Sequence, residues 1–236
     1  MIEMVVFDMA GTTVDEDNVV YKTLQKAINE SGFNFSLDQV LAEGAGKEKL
    51  QAIKSVLKVY GKNESEQLAN TIYQKFIGLL AKAYETLEIL PQDNAVELFQ
   101  ALKQRHILVV LNTGYNAETA QSLIRKLGWK PGVEFDGLIT ASDVQNNRPN
   151  PDMILLAMKQ FQIENPSQVI KVGDSNIDIE EGKNAGCRLN IGITTGAHTY
   201  EQLESAGPDF IIDNLIELIP IIDELALEKK SQTIHL

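Results

Sequence analysis

From Leu90 onward the chain alternates short apolar runs with amphipathic stretches, and this alternation admits few folds. Ile107-Leu108-Val109-Val110-Leu111, Phe135 to Thr140, Val169-Ile170-Lys171-Val172, Leu189 to Ile193 and Phe210-Ile211-Ile212 read as strands; Val5 to Phe7 adds one near the start. Most of these runs are continuous rather than polar-alternating, as strands covered on both faces are. Helices are expected at Val96 to Lys103, Ala117 to Leu127 (closed by Gly128) and Ile177 to Ala185. Another runs from an Asn150 N-cap and Pro151 to Phe161, and a last one starts at Leu215, with Pro220 expected to kink it. Strands joined through helices imply right-handed crossovers. The fold class is therefore α/β, a doubly wound, mostly parallel sheet.

Between the first strand and Leu90 the pattern is purely helical. Tyr21 to Glu30 and a short piece from a Ser36 N-cap to Gly44 read as helices, and Lys47 to Tyr60 and about Glu64 to Glu85 carry apolar stripes along one face. No strand signal lies among them. They read as a small helical domain, residues 15–87, inserted into an α/β core made of residues 1–14 and 88–236. The polar tail from Ser231, with His235, is expected to fray.

The formal net charge of -12 argues against nucleic-acid or anionic-membrane partners, because phosphate backbones select basic surfaces. A small phosphorylated molecule remains compatible, its charge being met by a metal ion and one or two bases. Cys187 is the single cysteine and is expected to be a packed thiol, so no intramolecular disulfide forms. No apolar run approaches the ~20 residues that span a bilayer, and no signal-peptide pattern precedes the first strand. The expected setting is the cytoplasm.

In a parallel sheet the carboxyl ends of the strands share one edge, so polar residues directly after apolar runs belong together. Asp8 follows the first run, with Gly11 to turn the chain and Thr12 and Thr13 as hydroxyl donors. Asn112-Thr113-Gly114-Tyr115 follows the second, Ser142-Asp143 to Arg148-Pro149 the third, and Gly173-Asp174-Ser175 with Asp178 the fourth. Each residue type has a task in phosphoryl transfer. Asp8 can attack phosphorus and form an aspartyl-phosphate. Magnesium suits a site of carboxylates and substrate oxygens, with Asp8, Asp174 and the Ala10 carbonyl as ligands and Asp178 in support through water. Thr12, Thr113, Gly114, Tyr115 and Arg148 are candidate contacts for the phosphate or substrate. Singly, each has an ordinary structural explanation: Thr113 a helix cap, Arg148 a solvated loop charge, Asp174 and Asp178 residues of a turn and a first helical turn. Together, in this order, they point to a site.

Over essentially its whole length the sequence resembles the haloacid dehalogenase superfamily of aspartate-nucleophile hydrolases, whose four motifs match Asp8, Thr113, Arg148 and Gly173-Asp174 to Asp178. The resemblance implies that Asp8 is the nucleophile and that Thr113 and Arg148 hold phosphate. It further implies that Asp8, Asp174 and the Ala10 carbonyl hold magnesium, and that the helical insert is a cap closing over the site. Most phosphatases of the superfamily carry a second aspartate, the general acid, where this chain has Ala10. Its absence costs ester hydrolysis roughly 10²–10⁴-fold. Asp-x-Ala-Gly-Thr-Thr is instead similar to the phosphonatase branch, whose type member cleaves the carbon–phosphorus bond of phosphonoacetaldehyde through a Schiff base on a cap lysine. Thr113-Gly114-Tyr115, Glu181-Gly182 and Asn184-Ala185-Gly186 also resemble that branch, whose members pair through their caps, so a homodimer is one expectation.

Lys49 lies near the position of the Schiff-base lysine, with Lys47 as the alternative, and the two lysines could lower each other's pKa. The methionine and histidine that accompany the lysine in that branch correspond here to Ala45 and Ala52. The expected activity is thus magnesium-dependent hydrolysis of a small phosphonate, best matched by phosphonoacetaldehyde. Phosphomonoester hydrolysis without the usual acid, or phosphate-ligand binding with little turnover, are the alternatives. A dehalogenase would not need Asp174, and a mutase would need the missing acid.

Overall fold

β1 (Met4–Phe7) is buried along its whole length and lies at the centre of the molecule. In the computed structural model it pairs in parallel with β4 (Leu108–Thr113) on one side and β6 (Val169–Gly173) on the other, Val5 facing Val109 and Ile170. Residues 1–233 are described, with side chains to residue 227. Beyond β4 lies β5 (Gly137–Thr140); beyond β6 lie β7 (Leu189–Ile193) and β8 (Phe210–Ile212). Among the described residues these six strands form one parallel sheet in the order β5-β4-β1-β6-β7-β8. The chain winds outward from β1 first to one side and then to the other. The crevice beyond the carboxyl end of β1 is therefore the switch point where open α/β sheets take their ligands.

The period-two geometry of strands splits the core. Val5, Phe7, Val109, Leu111, Ile170 and Val172 pack on one face with Leu98, Phe99 and Leu102 of α5 (Ala95–Gln104) and Leu218 of α10 (Leu218–Thr233). Met4, Val6, Val110 and Val169 pack on the other with Met153, Ile154 and Ala157 of α7 (Asp152–Gln160). With both faces covered, the strands have to be apolar throughout. α6 (Ala117–Leu127) and α8 (Asn176–Ala185) end, as expected, at Gly128 and Gly186 in the left-handed conformation.

Four helices occupy the stretch before β3 (Leu90–Pro91): α1 (Val19–Asn29), α2 (Leu37–Gly44), α3 (Lys49–Val59) and α4 (Glu66–Thr86). α1 buries Val20, Tyr21, Leu24 and Ile28 against α4, which buries Ala69, Ile72, Phe76 and Leu80. Ser36 caps α2 by accepting from the Gln39 amide at 3.2 Å, with the Gln39 side chain accepting in return from Ser36. β2 (Val14–Asp15) and β3 pair antiparallel where the chain leaves and re-enters the sheet region. This ribbon corrects the expectation of a strand-free segment; two residues per strand are too few to make a hydrophobic pattern.

Further corrections follow from local geometry. α7 starts at Asp152 without a side-chain cap, and the Asn150 amide instead donates to the Asn147 carbonyl at 2.9 Å. Pro220 lies in the first turn of α10, where no helical hydrogen bond exists for it to break, so the expected kink has no cause. A short helix, α9 (Tyr200–Ser205), was not expected; Thr199 caps it. Ser231 to Thr233 are helical, and the rest of the expected frayed tail, His235 included, lies outside the described residues. Among the described residues no helix is long and apolar enough to cross a membrane.

Candidate active site

Asp8 follows β1 directly, its amide donating to the Val172 carbonyl at 3.0 Å, so the strand pairing runs up to the carboxylate-bearing residue. The Thr13 hydroxyl donates to the Asp8 carbonyl at 2.9 Å and tightens the turn. Thr12 is fully buried and its hydroxyl reaches Asp174 Oδ1 at 3.4 Å. Asp174 follows β6 and Asp178 lies in the first turn of α8. Asp8, Asp174 and Asp178 each present a carboxylate oxygen within 4.8 Å of the others.

Arg148 is fully buried and joins Asp8 to Asp178. Its Nη1 lies 2.7 Å from Asp8 Oδ1 and 3.0 Å from Asp178 Oδ1, and its Nε lies 2.9 Å from Glu181 Oε2. Its Nη2 donates to Asn112 Oδ1 at 2.6 Å. Lys171 stands beside it inside β6, with Nζ 2.9 Å from Asp178 and 3.3 Å from Glu181 and donating to Asn112 Oδ1 at 2.7 Å. Asn112 in turn donates to Glu181 at 2.9 Å. The guanidinium thus holds two carboxylates at Nη1 and a third at Nε.

Lys171, Asn112 and Glu181 complete the cluster, and sequence reasoning gave none of them a role. A lysine in the middle of the Val169–Val172 run was the available signal, because a charge in a doubly covered strand must find buried partners.

The electrostatics divide the three aspartates. Burial pushes Asp178 up, but Arg148 and Lys171 outweigh it and hold the group below the usual range. Burial raises Asp8 against the pull of Arg148. Asp174 is pushed well up by burial and then by Asp8 and Asp178, and among the described residues no basic side chain reaches it. Within the ion-paired cluster Asp8, Asp178 and Glu181 share Arg148 and Lys171, while Asp174 is in none of these pairs, so the excess of negative charge lies on the Asp8–Asp174 side. That excess, with an all-oxygen donor set, fits a hard divalent cation.

Thr113 ends β4, its hydroxyl accepting from the Tyr115 amide at 3.2 Å. At Gly114 an added Cβ would come within 2.8 Å of the Lys47 carbonyl oxygen. At Gly46, in the left-handed conformation, one would overlap Ser175 and Ile177. The loop between α2 and α3 therefore lies directly on the strand ends, and only glycine permits the approach. The Gly46 amide donates to the Tyr21 hydroxyl at 2.9 Å.

Lys49, the first residue of α3, is buried in this closure. Its Nζ donates to the Lys47 carbonyl at 3.0 Å and lies 4.9 Å from the centre of the Tyr21 ring and 5.3 Å from that of Tyr115. Burial lowers its pKa, and the Arg148 charge lowers it further against the pull of Asp8 and Glu48. Lys47 points elsewhere, its Nζ donating to Ser55 at 3.1 Å. The expected mutual depression of the two lysines is thus replaced by burial as the cause. Ala52 is buried in the helical packing and Ala45 beside it, so neither position offers a proton relay.

Outside the cluster, His198 is buried and accepts from the Asn176 amide at 3.0 Å. Cys187 is half-buried against the Met4–Val6 side of the core rather than inside it, and burial still pushes its thiol up to about 12. Trp129 packs edge-on against Phe99 at 5.4 Å.

A buried strand-end aspartate held by a guanidinium, with two later acids beside it, defines a class: residues 5–193 match the haloacid dehalogenase-like hydrolase family, and the chain belongs to it. A phosphonoacetaldehyde hydrolase of Latilactobacillus sakei is 28% identical, the alignment covering 97% of this chain and 98% of the relative. The fold is shared with a hydrolase from Pseudomonas syringae, at a TM-score of 0.83, 19% identity and coverage of 94% and 98%. It is also shared with a phosphonoacetaldehyde hydrolase-like protein from Oleispira antarctica, at 0.80, 22% identity and coverage of 94% and 92%.

Proposed function

We propose that this hydrolase cleaves the carbon–phosphorus bond of phosphonoacetaldehyde or a closely related aldehyde phosphonate, with Asp8 as nucleophile and Lys49 as imine former. The observation that carries the reading is Lys49 itself: a buried amine of lowered pKa, facing two tyrosine rings, within the electrostatic reach of Asp8. A lysine serving only solvation would not be buried. The resemblance of the chain to phosphonoacetaldehyde hydrolases over nearly its full length supports the same chemistry.

The steps follow from the residues. Neutral Lys49 attacks the aldehyde carbon, and the carbinolamine loses water to leave an iminium. Asp8 attacks phosphorus, the carbon–phosphorus bond breaks, and its electron pair moves into the iminium to give an enamine. Water then hydrolyses the aspartyl-phosphate, and protonation and hydrolysis of the enamine release acetaldehyde and Lys49. The leaving carbon needs no proton from the position of Ala10, because the iminium takes its electrons. Arg148 and the backbone around Thr113 and Gly114 would hold the phosphoryl oxygens, with Thr12 and Tyr115 lining the site. Asp8, the Ala10 carbonyl and Asp174 would hold magnesium, with Asp178 behind them. Bound there, the ion would neutralise charge between nucleophile and phosphonate. The helical segment, residues 15–87, would act as the cap that excludes water.

The test is phosphate release from phosphonoacetaldehyde with magnesium, with and without borohydride. Inactivation with a mass adduct on Lys49 is the expected result. Release without any adduct, together with turnover of p-nitrophenyl phosphate, would turn the assignment to an ester phosphatase. Silence with both would mean phosphate-ligand binding.

A further inference from the structure

Imine formation needs a proton for the hydroxyl that leaves the carbinolamine, and Ala45 and Ala52 cannot supply one. A buried chain of hydroxyls leads from the Tyr115 ring, whose centre lies 5.3 Å from Lys49 Nζ, to a carboxyl group. The Tyr115 hydroxyl lies 2.9 Å from that of Tyr84, and the Tyr84 hydroxyl lies 2.7 Å from Glu16 Oε2. Glu16, Tyr84 and Tyr115 are all buried. Tyr115 is also one of the two rings against Lys49.

We propose that Glu16 is the proton source for imine formation at Lys49, acting through the hydroxyls of Tyr84 and Tyr115. The inference rests on the Schiff-base reading given above. With Glu16 neutral, its proton passes to Tyr84, that of Tyr84 to Tyr115, and that of Tyr115 to the departing hydroxyl. The carbon–oxygen bond breaks, the nitrogen lone pair forms the carbon–nitrogen double bond, and water leaves. A neutral acid and a neutral carbinolamine thus become a carboxylate and an iminium, so charge balances. Glu16 touches no reacting atom and is a positioning residue that holds the proton.

The surroundings suit the task. Burial pushes the Glu16 carboxyl up to about 7, against the hydrogen bonds from Tyr84 and the Val20 amide. An acid poised near neutrality can both give and recover its proton. The other titratable groups acting on it are Lys49 from α3, Asp15 beside it, and Tyr21 and Tyr115. A purely structural explanation exists, since Glu16 also accepts from the Val20 amide at 3.2 Å at the start of α1. That bond accounts for the carboxylate but not for the two tyrosines strung behind it.

The experiment is reductive trapping with phosphonoacetaldehyde and cyanoborohydride, followed by intact mass between pH 5.5 and 8.5. In the wild type the trapping rate should fall as pH rises through about 7, the region in which Glu16 loses its proton. Glu16→Gln should trap at least ~10²-fold more slowly and lose that falling limb, since an amide has no proton to give. Tyr84→Phe keeps the ring and cuts the chain, so it should do the same; it carries the test alone where Glu16→Gln does not fold. A variant that traps at the wild-type rate, or more slowly with the limb intact, overturns the relay and leaves the Schiff base standing. A wild type with no adduct on Lys49 overturns the Schiff-base reading, and the relay with it.

Discussion

Arg148 Nη1 lies 2.7 Å from Asp8 Oδ1, an ion pair buried from solvent between residues 140 positions apart. The same guanidinium reaches Asp178 and Glu181, so one side chain from the loop before α7 ties β1 to α8. The Asp8 carboxylate is therefore fixed by charge as well as by strand pairing.

Removing the guanidinium should expose how much depends on it. Arg148→Ala would leave buried carboxylates without their cation, which typically costs about 3–5 kcal/mol. The urea midpoint should fall accordingly, and phosphate release should be lost. Arg148→Lys keeps the charge but not the fork, so it should recover part of the stability and little of the turnover. A lysine variant with full activity would mean that the multiple contacts of Arg148 do not matter.

The charge excess at Asp8 and Asp174 predicts a response to divalent cations. Magnesium at about 100 times its dissociation constant should stabilise the fold by about 2.7 kcal/mol. For a chain of this size that is a melting-temperature rise of roughly 5–10 °C. A chelator should reverse the rise and stop phosphate release. Asp174→Asn should remove most of the shift, because it removes the one carboxylate that no base compensates.

Glu16 predicts a pH dependence of stability separate from its part in trapping. Its folded pKa, about 7, lies above the ordinary glutamate value of 4.5, so folding favours the protonated form. The stability this contributes is full below about 4.5 and is lost as pH rises through about 7. The loss is roughly 3 kcal/mol for a shift of this size. Urea unfolding of wild type at pH 5 and pH 8 should differ more than unfolding of Glu16→Gln does. Asp8 and Asp174 also titrate upward, and the comparison of variant with wild type cancels them.

The sheet was readable because burial on both faces forces continuous apolar runs, and the strand ends then follow at Asp8, Thr113 and Asp174. The chain brings those residues, with Arg148 and Asp178, to one edge, which is what a parallel sheet does with residues that follow its strands. What escaped was long-range pairing. Nothing local marks Asn112 and Glu181, 69 residues apart, as hydrogen-bond partners, or Glu16 and Tyr84, 68 apart. Glu16 reads in sequence as one more acid in an exposed-looking Asp15-Glu16-Asp17 run, yet only its middle member is buried. Which of Lys47 and Lys49 is buried also depended on helix register; α3 begins at Lys49, and that lysine is the buried one.

Ala10 supports the last prediction. If the missing acid is what limits ester hydrolysis, Ala10→Asp should restore it, but only where the leaving group needs a proton. An alkyl phosphate, whose leaving group is an alkoxide, should gain up to ~10²–10⁴-fold in kcat/KM. p-Nitrophenyl phosphate departs as a stable phenolate and should gain little. Turnover of phosphonoacetaldehyde should not rise, since on the proposed route its leaving carbon would pass its electrons to an iminium on Lys49. Kinetics on the three substrates with one variant would therefore separate a site short of an acid from one that never required it. A uniform gain across all three would place the limitation elsewhere, in binding or in closure of the helical segment.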